Sequence, residues 1–172
     1  MLALSEYDHM ESLDAFQKGW IQVQDISSAL VGELAAPEKG SYIIDVCAAP
    51  GGKSLHLADK MEGTGCVEAR DLTYQKVALI EENASRMGAL NIKAVQWDAT
   101  EFDPESENKA DLVIADLPCS GLGIIGRKPD IKYHTTKENL RELSKLQKRD
   151  PFCCVEVCKT RRPPDLQHMH YQ

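Results

Sequence analysis

The chain has 172 residues, 42% of them hydrophobic and 27% charged, a length and composition that suit one globular domain with a real core. Its net charge of −7 excludes a protein that grips nucleic acid with its whole surface, so any such partner must be met by a local basic patch. No apolar run approaches the roughly 20 residues needed to span a bilayer, and no basic segment followed by an apolar one opens the chain, so a cytoplasmic protein without a membrane partner is expected.

Met1 to Lys18 is polar, acidic and weakly patterned, and reads as a linker or the remnant of an upstream region. Gly19 to Ser28, GWIQVQDISS, leads into a helix through Ala29, Leu30, Val31, Leu34 and Ala35, with Asp25 or Ser27 as its cap and Pro37 as its stop. Gln24, Asp25 and the serines serve either packing or the wall of a pocket. Tyr42 to Val46 is a β-rich apolar run that stops where glycines begin, and a helical pattern resumes at Leu55, Leu57, Ala58 and Met61.

The chain is organised around that strand, turn and helix, whose sequence from Asp45 to Ser54 is DVCAAPGGKS. Paired glycines let the backbone approach a ligand, and the helix N-terminus offers free N–H groups and a positive dipole end. A nucleotide P-loop is excluded by spacing, because the position that should hold its first glycine is Cys47. A dinucleotide fingerprint is excluded because Gly51 and Gly52 are adjacent.

Strand and helix then alternate. Gly65 to Ala69 is a strand ending at Asp71, Thr73 to Met87 a helix with Val77, Leu79, Ile80 and Ala84 at mostly helical spacing and Gly88 as its stop, Ile92 to Gln96 a strand ending at Asp98, and Asp111 to Ala115 a strand ending at Asp116. Such alternation means a parallel sheet with helices on its faces, whose ligands bind beyond the carboxyl ends of the strands. Asp71, about 20 residues past the glycine turn, is placed to take ribose hydroxyls.

Four motifs in order, GWIQVQDISS, DVCAAPGGKS, DLPCSG at Asp116 to Gly121 and GRKPDIKY at Gly126 to Tyr133, resemble the Sun-type RNA 5-methylcytosine methyltransferases, which act on bacterial 16S ribosomal RNA with S-adenosylmethionine. The resemblance covers about Gly19 to Arg149 and implies a Rossmann-like class I methyltransferase fold, here a partial parallel sheet of order 3-2-1-4. It implies a monomeric enzyme whose partner is small-subunit ribosomal RNA and whose cofactor loop is Cys47, Ala48, Ala49, Pro50, Gly51, Gly52 and Lys53. Asp71 would bind the ribose and Asp98 the adenine edge. Asp116 would hydrogen-bond cytosine at ring nitrogen 3 with Lys53 beside it, Cys119 would assist product release, and Arg127, Lys128 and Lys132 would meet RNA phosphates.

These residue types follow from the reaction. Carbon 5 of cytosine is a poor nucleophile until a thiolate adds to carbon 6 and makes carbon 5 enamine-like; it then attacks the sulfonium methyl group, a base removes the carbon-5 proton and the thiol leaves. An acid at ring nitrogen 3 stabilises the charge that develops as the thiolate adds.

The family's attacking cysteine lies in a later Thr-Cys motif, which this chain lacks, and after the helix Lys137 to Arg149 the residues Asp150 to Gln172 follow no periodicity. Cys153, Cys154, Cys158, His168 and His170 match no familiar zinc spacing, so no metal is expected and the six cysteines are expected as free thiols. Codons can be chosen for Asp150 to Gln172 so that the next reading frame gives ILSVVWKYVKPGGLLIYSTCTI, which carries the helix, turn, strand and Thr-Cys motif. Residues 150–172 are therefore expected to be a frameshifted tail, and the chain a fragment that is inactive for want of its attacking thiol. Two other readings stand: a non-catalytic remnant that binds S-adenosylmethionine or RNA, and a small-molecule methyltransferase, which would have no need of Arg127, Lys128 and Lys132.

Overall fold

The computed structural model describes residues 9–126 and 129–145. Arg127, Lys128 and the tail 150–172 lie outside the described residues. Four parallel strands, β1 (Tyr42–Asp45), β2 (Cys66–Asp71), β3 (Ile92–Gln96) and β4 (Leu112–Ile114), form one sheet of order β3-β2-β1-β4. That is the expected order 3-2-1-4. The helices are α1 (Asp14–Gln17), α2 (Ile26–Ala35), α3 (Gly52–Lys60), α4 (Tyr74–Met87) and α5 (Ile131–His134), and 137–145 is also helical.

β1 is central because it is apolar on both faces. Its side chains alternate, so Ile43 and Ile44 point to opposite sides, and both are fully buried. Ile43 pairs in register with Val67 and Leu112, and that face closes against Val31 of α2 and Leu57 and Ala58 of α3. Ile44 looks the other way, with Val46 and Ala110. α4 covers β2 and β3 through Val77, Ile80 and Ala84, while Leu79 turns outward and is 46% exposed. The buried face runs at i, i+3 and i+7 from Val77, and Leu79 lies off it.

Residues 9–18 contain a short turn of 3-10 helix, Met10–Ser12, and then α1. They lie against the end of α4, where the Arg86 guanidinium sits 4.0 Å from the Phe16 ring centroid and donates to the Phe16 carbonyl at 2.7 Å. Among the described residues, no helix is long and apolar enough to cross a membrane and no group of three side chains could hold a metal ion.

Candidate active site

The turn after β1 is held by its neighbours on both sides. Val46 N–H donates to the Ile114 carbonyl at 3.0 Å, and Ala48 N–H donates to the Arg70 carbonyl at 2.9 Å, so β4 and β2 set its course. Gly51 closes it with φ of +100°, a backbone that a side chain would strain, and serves as the N-cap of α3. A Cβ built on Gly52 meets nothing within 4 Å, so the first turn of α3 opens onto free space. That space is an open cleft of about 190 Å³, smaller than the roughly 300–1,000 Å³ typical of enclosed small-molecule sites. Its walls are the loop residues Cys47 to Pro50 with Gly52 and Lys53, the segment Gln22 to Asp25 with Ser28, and the acids Asp45 and Asp116.

Lys53 joins the motifs. From the first turn of α3 its Nζ reaches Asp116 Oδ2 at 2.5 Å, across 63 residues of chain, and donates to Ser28 Oγ at 3.2 Å. The Lys53 side chain is 14% exposed and that of Asp116 48%, so the pair lies at the mouth of the cleft. The serines that sequence left undecided are thereby divided, with Ser28 on the cleft wall. Gln24 also reaches this wall, where its Nε2 lies 3.4 Å from the Gly52 carbonyl.

Asp45 sits beneath the turn, 1% exposed, where Ser54 Oγ donates to its Oδ2 at 2.7 Å and the Cys47 backbone N–H also favours its charged form. Burial pushes its carboxyl up to about 6, against the lowering effects of the Ser54 bond and of Lys53.

The other predicted residues are placed differently. Asp71 is 3% exposed, and its Oδ2 accepts the Ala49 N–H at 3.0 Å while Oδ1 accepts the Leu72 N–H at 2.8 Å and pairs with Lys76 at 3.0 Å. It braces the turn from behind, and of its roughly four acceptor sites one, on Oδ2, remains for a further donor. Asp98, half-buried just past β3, accepts the Thr100 N–H at 2.9 Å and its hydroxyl at 2.8 Å through Oδ1. Neither acid lines the cleft that holds Lys53 and Asp116. Cys119 is exposed, three residues beyond Asp116, and Lys132 lies in α5. Sequence reasoning missed the pairing of Arg70 with Asp103; the only signal was the run Glu68, Ala69, Arg70, with charges facing one side of a buried strand.

The parallel order 3-2-1-4, with a glycine turn leaving the central strand and acids at the strand ends, defines the Rossmann-like fold of class I S-adenosylmethionine-dependent methyltransferases. The chain belongs to the 16S rRNA methyltransferase RsmB/F family, whose model matches residues 33–159. It is 42% identical over 133 residues to the probable ribosomal RNA small subunit methyltransferase B of Bacillus subtilis (strain 168), covering 77% of this chain and 30% of that protein. It is 33% identical over 139 residues to the tRNA (cytosine(72)-C(5))-methyltransferase of Pyrococcus horikoshii, covering 81% of this chain and 35% of that protein. Among solved structures, NSun6 from Pyrococcus horikoshii with SFG superposes with a TM-score of 0.77 at 28% identity, over 88% of this chain and 38% of that one. The chain thus spans about a third of the length of the curated relatives it matches.

Proposed function

We propose that this chain is the cofactor-binding part of an RNA cytosine carbon-5 methyltransferase acting on small-subunit ribosomal RNA, with S-adenosylmethionine held by Cys47 to Lys53. The observation that carries this reading is the contact of Lys53 with Asp116, which brings the glycine turn and the DLPCS segment to one cleft. The open face at Gly52, at the N-terminus of α3, fits a ligand that carries a carboxylate. Bound there, the cofactor supplies an electrophilic methyl group on a sulfonium sulfur. The Pyrococcus relative with SFG, an analogue of that cofactor, supports the same chemistry for this family member.

The roles proposed for this chain's residues are those that the family resemblance implies. Asp71 takes a ribose hydroxyl with the lone pair left on Oδ2 beside the Ala49 N–H, and Asp98 meets the adenine edge. Asp116 hydrogen-bonds the target base at ring nitrogen 3, and Lys53 orients Asp116 through their 2.5 Å contact. Cys119, exposed beyond it, assists release of the methylated base. Arg127, Lys128 and Lys132 supply the local positive charge that the acidic total requires of an RNA-binding surface. The protein works in the cytoplasm, as a monomer, without a metal.

Calorimetry with S-adenosylhomocysteine tests the cofactor site. The chain is expected to bind it, and Asp71→Ala is expected to weaken binding about 10-fold to 100-fold, the effect of losing one hydrogen bond to a charged group. Unchanged affinity in a folded variant removes Asp71 from the site.

The purified 172-residue chain is also expected to show no multiple-turnover methylation of ribosomal RNA, because its sequence holds Cys119 and lacks a Thr-Cys motif for the attacking thiol. Robust turnover that Cys119→Ser abolishes would falsify this division of roles. The frameshift proposed for 150–172 is tested separately, by reading the gene around codon 150: a single-nucleotide displacement there restores the Thr-Cys motif, and an intact frame sinks it.

A further inference from the structure

Arg70 precedes Asp71 on β2 and, by strand alternation, points to the opposite face of the sheet. It is 4% exposed. Its Nε donates to Glu68 Oε1 at 2.7 Å, and its Nη2 donates to Asp103 Oδ2 at 2.8 Å and to Ser106 Oγ at 2.7 Å. Its guanidinium lies 5.4 Å from the Trp97 ring centroid, within cation–π range. Glu68 Oε2 in turn accepts Lys93 Nζ at 3.0 Å and the Tyr42 hydroxyl at 3.1 Å. Arg70 is thus buried between the two anions Glu68 and Asp103, and the exposed Lys93 supplies the second positive charge.

The network holds one particular piece of chain. Residues 97–106 contain neither helix nor strand, yet Asp103 and Ser106 are buried. Arg70 grips this segment at both ends, at the Trp97 ring and at Asp103 with Ser106, and Asp98 is the residue next to that ring. The Arg70 carbonyl meanwhile accepts the Ala48 N–H of the glycine turn at 2.9 Å. One residue thus ties the segment bearing Asp98 to the loop Cys47 to Lys53.

We infer that Arg70 is a positioning residue for the adenine side of the site, presetting Asp98 by fixing residues 97–106 against the sheet; this rests on the cofactor reading above. Two different failures must be told apart, so the test is a double-mutant cycle read by calorimetry with S-adenosylhomocysteine on the full chain, with folding followed by circular dichroism. Arg70→Lys and Ser106→Ala are each expected to weaken binding roughly 3-fold to 30-fold in the native background and to have little effect in an Asp98→Ala background, because coupled residues do not add. Ser106→Ala leaves Arg70 paired with Glu68 and Asp103 and carries the cycle where Arg70→Lys fails to fold. Equal losses in both backgrounds, the mark of a merely structural role, overturn the inference, and so does undiminished binding by the folded single variants. A native chain that binds no S-adenosylhomocysteine overturns the cofactor reading itself and this inference with it.

Discussion

Asp45→Asn is expected to stabilise the protein at pH 8 by about 3 kcal/mol more than it does at pH 4, the energy equivalent of a shift of about two pKa units. Burial raises the folded-state pKa of Asp45 from 3.8 to about 6, so between those values the folded chain holds more protons than the unfolded one. Stability from this group therefore falls as pH rises from about 4 to about 6 and stays low above that. Glu68 and Asp103 act in the opposite sense. Burial would push their carboxyls up, but for Glu68 the Lys93 and Arg70 contacts outweigh it, and for Asp103 the Ser106 and Arg70 contacts do. Both are held below the usual carboxylate range, and the stability they contribute above it is lost as pH falls through their folded pKa values. Because both curves share that loss, the difference between native chain and variant in urea titrations at pH 4 to 8 isolates Asp45. A difference that does not change with pH would show that Asp45 titrates as an ordinary carboxylate.

Gly65→Ala is expected to destabilise the chain by roughly 3–5 kcal/mol, the sum of a strained left-handed backbone and an overpacked contact. Gly65 has φ of +68°, and a Cβ there would lie 2.3 Å from the Ser41 carbonyl oxygen. That oxygen is rigidly placed, since it accepts the Cys66 N–H at 3.0 Å and so starts the pairing of β2 with β1. Moving it displaces the strand that ends in Asp71, so the variant should lose S-adenosylhomocysteine affinity along with stability. A fall of under 1 kcal/mol in denaturant unfolding would mean that the turn can relax away from Ser41.

Local pattern was enough to place the strand, turn and helix at Asp45 to Ser54 and the parallel sheet, because each signal lies within a few residues. An apolar β-branched run followed by paired glycines has few other conformations, and strands alternating with amphipathic helices have few other ways to bury both sheet faces. The motifs carried the family with them. Periodicity was less reliable at Leu79, where an apolar residue inside a helical pattern lies off the buried face.

The tertiary structure alone decided what each charged group faces, because those partners are far apart in the chain. Asp45, Asp71, Asp98 and Asp116 look alike in sequence as acids at strand ends. Folding makes Asp45 a buried carboxyl held by Ser54 and Asp71 a brace behind the turn, while Asp116 becomes the exposed partner of Lys53. The pairing of Arg70 with Asp103 spans 33 residues, and nothing in the intervening sequence announces it. Electrostatic character depends on burial and on the nearest opposite charge. For this chain both are set by the sheet order, which places β1 between β2 and β4 and so gathers the ends of three strands around one turn.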